Sequence, residues 1–184
     1  MFKRLFGLSR SPNEEIADTL YEQIVAAARQ PRFYADWQVP DTPLGRFEML
    51  SVHMFLFLHR ARNGNEALAA IAQETVDTFF TDIDHSLREL GIGDVSVPKR
   101  MKKLARMFYG RAQSYTQAIE AGDRLALGAA LARNVAPEHP RWEGATELAR
   151  YVFAADHALS LQPDDAITGG RLGFAVPAET ESQP

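Results

Sequence analysis

The chain has 184 residues, 46% hydrophobic and 24% charged, and its 20 lysines and arginines against 24 acids leave a formal net charge of -4. Such a composition excludes a disordered polar chain and gives enough material for one substantial core, not two. The absence of cysteine excludes disulfides, thiolate metal ligands and thiol nucleophiles, and a mildly acidic chain meets nucleic acid only through a local basic patch.

No stretch reaches the roughly 18 to 20 consecutive apolar residues that span a bilayer, and the densest, Val52 to Leu58, is interrupted by His53. A cytoplasmic location fits, with peripheral association at the inner face of the cytoplasmic membrane as its variant. The first ten residues set Lys3, Arg4 and Arg10 among Phe2, Leu5, Phe6 and Leu8, without the apolar core of a secretory signal. Residues 1–10 read either as a basic tail or as an amphipathic anchor for anionic lipid.

Helical periodicity dominates from there. A first helix starts after Ser11, Pro12 and Asn13, where Ser11 or Asn13 can cap, and runs to about Arg29 with Ile16, Leu20, Ile24 and Ala27 or Ala28 inward. Pro31 ends it, and Phe33, Tyr34 and Trp37 form an aromatic plug for the core before Pro40 and Pro43 break the chain.

From Leu44 to about Asn63 runs the most apolar helix, with Phe47, Leu50, Met54, Phe57, Leu58 and Ala61 at helical spacing. Met49, Val52, Phe55 and Leu56 occupy its other faces. A helix apolar nearly all round is central, or half central and half partner-facing. In the second case those four residues are the partner-binding set.

Asn63 and Gly64 stop this helix and Asn65 caps the next, which runs to about Phe80. A shorter helix, Asp82 to Leu90, follows, with Thr81 or Asp82 as its cap. After a loop ending at Pro98 comes a long helix to Glu120, then one from Asp123 to Asn134 and a last from Arg141 to Leu161. The pattern predicts an all-α single domain of about six main helices over residues 11–162, with flexible termini. Residues 163–184, rich in glycine and polar residues, read as a loose tail.

The long helix carries the most chemical content. No acid occurs between Asp94 and Glu120, while Lys99, Arg100, Lys102, Lys103, Arg106 and Arg111 supply six positive charges. Met101, Leu104, Phe108, Ala112, Tyr115 and Ile119 recur at steps of three or four and form its buried stripe. The basic residues become a ridge able to contact acidic protein, anionic lipid or RNA phosphate. The alternative is a solvated face paired with Asp82, Asp84, Glu89 or Asp94.

Catalytic patterns are missing: there is no HExxH, nucleophile elbow, phosphate-binding loop or dinucleotide glycine pattern. Asp82, Asp84 and His85 are the nearest approach to a metal-dependent hydrolase site, and Asp82 and His85 share a helical face. His53 and His59, six apart, fall on different faces, and hydrogen bonding suits them better than a shared metal. No cofactor, metal or catalytic residue is expected.

Three runs carry a family likeness: Asp41 to Arg60; Phe79 to Lys103, with Leu87, Arg88, Glu89, Leu90 and Gly91 in succession and then Val97, Pro98 and Lys99; and Phe108, Tyr109, Gly110 and Arg111. Together, over roughly residues 10 to 160, the chain resembles the ubiquinol-cytochrome c chaperone family. The resemblance implies an all-helical binding protein, not an enzyme, which takes newly made cytochrome b and supports biogenesis of the ubiquinol-cytochrome c reductase complex. Mitochondrial members act with a small partner at the ribosome exit tunnel. This chain resembles the compact alphaproteobacterial form, for which a partner subunit and a homodimer both stay open. A ribosome or RNA adaptor acting through the basic helix 98–120 is the alternative function.

Overall fold

The computed structural model describes residues 11–89, 91, 96–139 and 141–177. Eight helices account for most of them: α1 (Pro12–Ala28), α2 (Pro31–Ala35), α3 (Pro43–Ala61), α4 (Glu66–Glu89), α5 (Val97–Glu120), α6 (Arg124–Val135), α7 (Gly144–Ser160) and α8 (Asp164–Thr168). The basic segment 1–10, Asp94 and residues 178–184 lie outside the described residues.

Local chemistry sets the boundaries. Ser11 caps α1 in a reciprocal box, its hydroxyl accepting from the Glu14 N–H while the Glu14 carboxylate accepts from the Ser11 N–H, each at 3.2 Å. Thr42 accepts from the Gly45 N–H at 3.1 Å to start α3, and Asp123 accepts from the Ala126 N–H at 2.9 Å to start α6. Proline stands in the first turn of α1, α2, α3 and α5, where its missing N–H costs nothing. Gly45 is required for a different reason: a β-carbon there would fall 1.9 Å from the Pro40 carbonyl oxygen.

The apolar helix α3 is the axis of the molecule, with α1, α4, α5, α6 and α7 packed around it. Met49, Val52, Phe55 and Leu56 are all buried. The partner-facing reading of these four residues is therefore corrected: a side chain held between packed helices offers nothing to a client. The aromatic plug forms, with Phe33, Trp37, Tyr151 and His53 packed ring against ring at 5.0 to 6.1 Å.

Two expected boundaries differ. The break near Thr81 and Asp82 is absent, and α4 runs unbroken because no glycine or proline interrupts it and Phe79, Ile83 and Leu87 keep the apolar register. The Thr81 hydroxyl donates to the Asp77 carbonyl one turn back at 2.7 Å, so it caps nothing. The segment from Pro163 to Pro177 is docked, not loose. Ile167 and Leu172 are buried, and Asp164 pairs with Arg60 while accepting from the Asn65 N–H at 2.7 Å.

Candidate partner-binding surface

On a helix with 3.6 residues per turn, Lys99, Lys102, Lys103 and Arg106 fall on one face of α5 with Arg100 at its edge. All five are exposed, and none forms an ion pair among the described residues. Three of the four acids considered as partners are engaged elsewhere, and Asp94 lies outside the described residues: Asp84 binds Arg88 at 2.7 Å, Asp82 accepts from the Tyr21 hydroxyl at 2.7 Å, and Glu89 lies 3.5 Å from His85. Among the described residues these five side chains make one exposed cationic face. Beside it stands Tyr109, 54% exposed, its ring tilted against Phe80 at 6.4 Å.

Arg111 does not belong to that ridge. It lies about 120° around the helix from Lys99 and turns inward, where its Nη1 stands 2.7 Å from Oε1 of Glu48 on α3. Only 12% of the Arg111 side chain and 1% of the Glu48 side chain remain exposed. The contact is close but not aligned as a hydrogen bond, so neither carboxylate oxygen has a directed donor. Burial pushes the Glu48 carboxyl up to about 7, with Arg111 pulling it partway back.

A second buried polar contact ties α3 to α7. His53 Nδ1 lies 2.8 Å from the Met49 carbonyl, which only accepts, so that nitrogen carries the proton; Nε2 then accepts from the Tyr151 hydroxyl at 2.7 Å. Complete burial lowers the His53 pKa to about 4, and burial likewise raises that of Tyr151. The ring is a neutral structural group. His59, one helical face away, pairs instead with Asp156 at 2.7 Å.

The residues considered for a hydrolase are not brought together, since Asp82, Asp84 and His85 have the separate partners given above. Among the described residues no three side chains of histidine or acid type converge as metal ligands. No helix among them is long and apolar enough to cross a membrane. Sequence reasoning missed Glu48 and Tyr109. A carboxylate inside the most apolar helix signals a buried partner, whereas nothing marked Tyr109 as the one exposed ring beside the ridge.

Comparison with known proteins places the chain. Its residues 35–174 match the profile of the family described as ubiquinol-cytochrome C chaperone. The chain belongs to that family. The match runs past the sequence likeness noted to residue 160 and takes in the docked segment as far as Phe174. A solved structure, the Cbp3 homolog from Brucella abortus, is 55% identical, with a TM-score of 0.85 over 96% of this chain and 97% of that one. The ubiquinol-cytochrome-c reductase complex assembly factor 1 of Xenopus laevis is 25% identical over 116 residues. That alignment covers 63% of this chain and 58% of the frog protein, so the chain spans little more than half of that relative's length.

Proposed function

We propose that this protein is an assembly chaperone that binds newly made cytochrome b and supports biogenesis of the ubiquinol-cytochrome c reductase complex, acting by binding and not by catalysis. The observation that carries this reading is the family profile match over residues 35–174, which spans α3 to α8 and includes the ridge. The frog relative, a reductase complex assembly factor, agrees with it.

The ridge of Lys99, Arg100, Lys102, Lys103 and Arg106 is the proposed contact for polar client loops or for an anionic surface that brings chaperone and client together. Five exposed cations and an exposed tyrosine suit the phosphate layer of a membrane, where cations meet headgroups and aromatic rings sit at the interface. Peripheral placement at the inner face of the cytoplasmic membrane follows from that reading. The same free charges favour the second function, a ribosome or RNA adaptor working through α5. Salt separates them, because phosphate contacts weaken steeply with ionic strength whereas an apolar client contact does not.

The test is deletion of the gene in the source organism, with complementation by the parent and by a variant carrying Lys99→Gln, Lys102→Gln, Lys103→Gln and Arg106→Gln. The reading expects loss of cytochrome b from the membrane on deletion and incomplete rescue by the variant. Normal cytochrome b in the deletion strain would overturn it.

A further inference from the structure

Residues 171–177 cross the molecule as an extended strap with no regular secondary structure. Two glutamines hold it entirely by its main chain. Gln23 of α1 donates from Nε2 to the Gly170 carbonyl and accepts at Oε1 from the Leu172 N–H, both at 2.8 Å. Gln162, just beyond α7, accepts from the Gly173 N–H at 3.0 Å and donates to the Gly173 carbonyl at 2.6 Å. Arg32 of α2 donates to the Pro177 carbonyl at 2.8 Å. Bonds of this kind read an extended backbone whatever its sequence, which is how peptide-binding grooves combine affinity with tolerance.

Beneath these clamps the contacts are apolar. Leu172 and Pro177 are buried, and the half-buried Phe174 sets its ring 5.2 Å from that of His53. The fit is incomplete: a cleft of about 230 Å³ remains beside the strap, lined in part by Ala26, Ala27, Tyr151 and the strap's own Ala175. A wider cleft of about 700 Å³ adjoins it at Gln30, Val176 and Pro177 and continues the groove along α2. Val176 itself is 84% exposed.

The strap also has a hinge. Gly170 sits at φ +81°, the left-handed region glycine reaches without strain, and directly before it α8 is fixed by buried Ile167 and by the Arg60–Asp164 pair. Rotation at this glycine would free residues 171–177 for the loss of one bond to α8, from the Arg171 N–H to the Ala166 carbonyl at 3.0 Å, with α8 still held by its own contacts.

We propose that the groove between α1, α2 and α7 receives an extended apolar segment of a client chain, and that residues 171–177 are a built-in placeholder occupying it until a client displaces them. The incoming backbone takes over the bonds of Gln23, Gln162 and Arg32, and its larger side chains fill the space left beside Ala175. This surface rests on the chaperone reading for the existence of a client, and it replaces the one expected on α3, whose apolar side chains are buried.

The test uses the full chain and, as probe, a fluorescein-labelled synthetic peptide with the sequence of residues 169–177, followed by fluorescence anisotropy. In the parent the strap competes. Leu172→Ser with Phe174→Ser weakens the strap without altering the groove, and the probe then binds roughly tenfold or more tightly because more of the groove is vacant. Adding Gln23→Ala and Gln162→Ala returns binding to the parent level, and a probe with aspartate at the positions of Leu172 and Phe174 does not bind. Circular dichroism reports whether each variant keeps its helices. Should the double serine variant unfold, Phe174→Ala gives the same test with a smaller shift. A folded, loosened chain that takes the probe no better than the parent, or equally well without the two glutamines, overturns the proposal. Because the probe is a fragment of this chain, that failure is distinct from normal cytochrome b in a deletion strain.

Discussion

Two helices of this protein, α3 and α5, solve opposite problems. In α3 hydrophobic side chains surround most of the axis, and three polar groups, Glu48, Ser51 and His53, are buried with them. In α5 a single apolar stripe faces the body and five cations face water with no ion-pair partner among the described residues. Charge on the first helix is a matter of stability, and charge on the second is, on the proposed reading, a matter of recognition. Arg111 is the instructive exception, belonging to α5 by sequence and to the α3 core by position.

Arg111→Met is the sharpest way to break the comparison. It leaves Glu48 buried without its cation, and unfolding in urea should show a loss of about 3 to 5 kcal/mol, as for other broken buried pairs. A loss below about 1 kcal/mol would return Arg111 to the ridge.

His53→Gln tests the α3 side through pH. Because the folded pKa is about 4 against an ordinary 6.5, the unfolded chain binds a proton that the folded chain refuses. His53 therefore costs nothing above pH 6.5, and its penalty grows as pH falls toward 4, reaching about 3 kcal/mol. The variant loses hydrogen bonds at neutral pH but regains ground on the parent with acid. Glu48 works in the opposite direction: its carboxyl, raised from 4.5 to about 7, contributes stability at low pH that is lost as pH rises through that window. A stability difference between variant and parent that stays constant from pH 7 to pH 4 would contradict the neutral, buried histidine.

Smaller effects belong to the outer face of α5. Gly110 is exposed and a β-carbon there meets nothing within 4 Å, so Gly110→Ala should stabilise the fold by about 0.5 to 1 kcal/mol. Thermal unfolding checks this, and destabilisation would reveal a local strain that the packing does not contain. Replacing Lys102, Lys103 and Arg106 with glutamine should change stability by less than about 0.5 kcal/mol, since none is paired. The same variant should bind vesicles containing anionic lipid more weakly in a co-sedimentation assay. Unchanged sedimentation would make the ridge a solvated face.

Much of this was legible in the sequence because helical proteins write their architecture locally. Proline and serine marked the start of α1, Pro40 and Pro43 the break before α3, and the steps of three and four in α5 separated its buried stripe from its ridge. What escaped was either long-range or backbone-mediated. The partnership of Glu48 and Arg111 joins residues 63 apart, and only the angle of Arg111 around its helix hinted that it left the ridge. Thr81 and Asp82 look like a cap, yet the hydroxyl is satisfied one turn back, a choice the neighbouring apolar register decides. The strap has no periodicity to read, because Gln23, Gln162 and Arg32 hold its carbonyls and N–H groups and not its side chains.

The central claim, that this chain binds cytochrome b as it is made, is tested most directly by pulse-labelling the source organism and isolating the tagged chain under mild conditions. The account predicts that labelled cytochrome b co-isolates early in the chase and leaves as the reductase complex matures. A preparation that contains no labelled cytochrome b at any time of chase, while the tagged chain sustains normal growth, would contradict it.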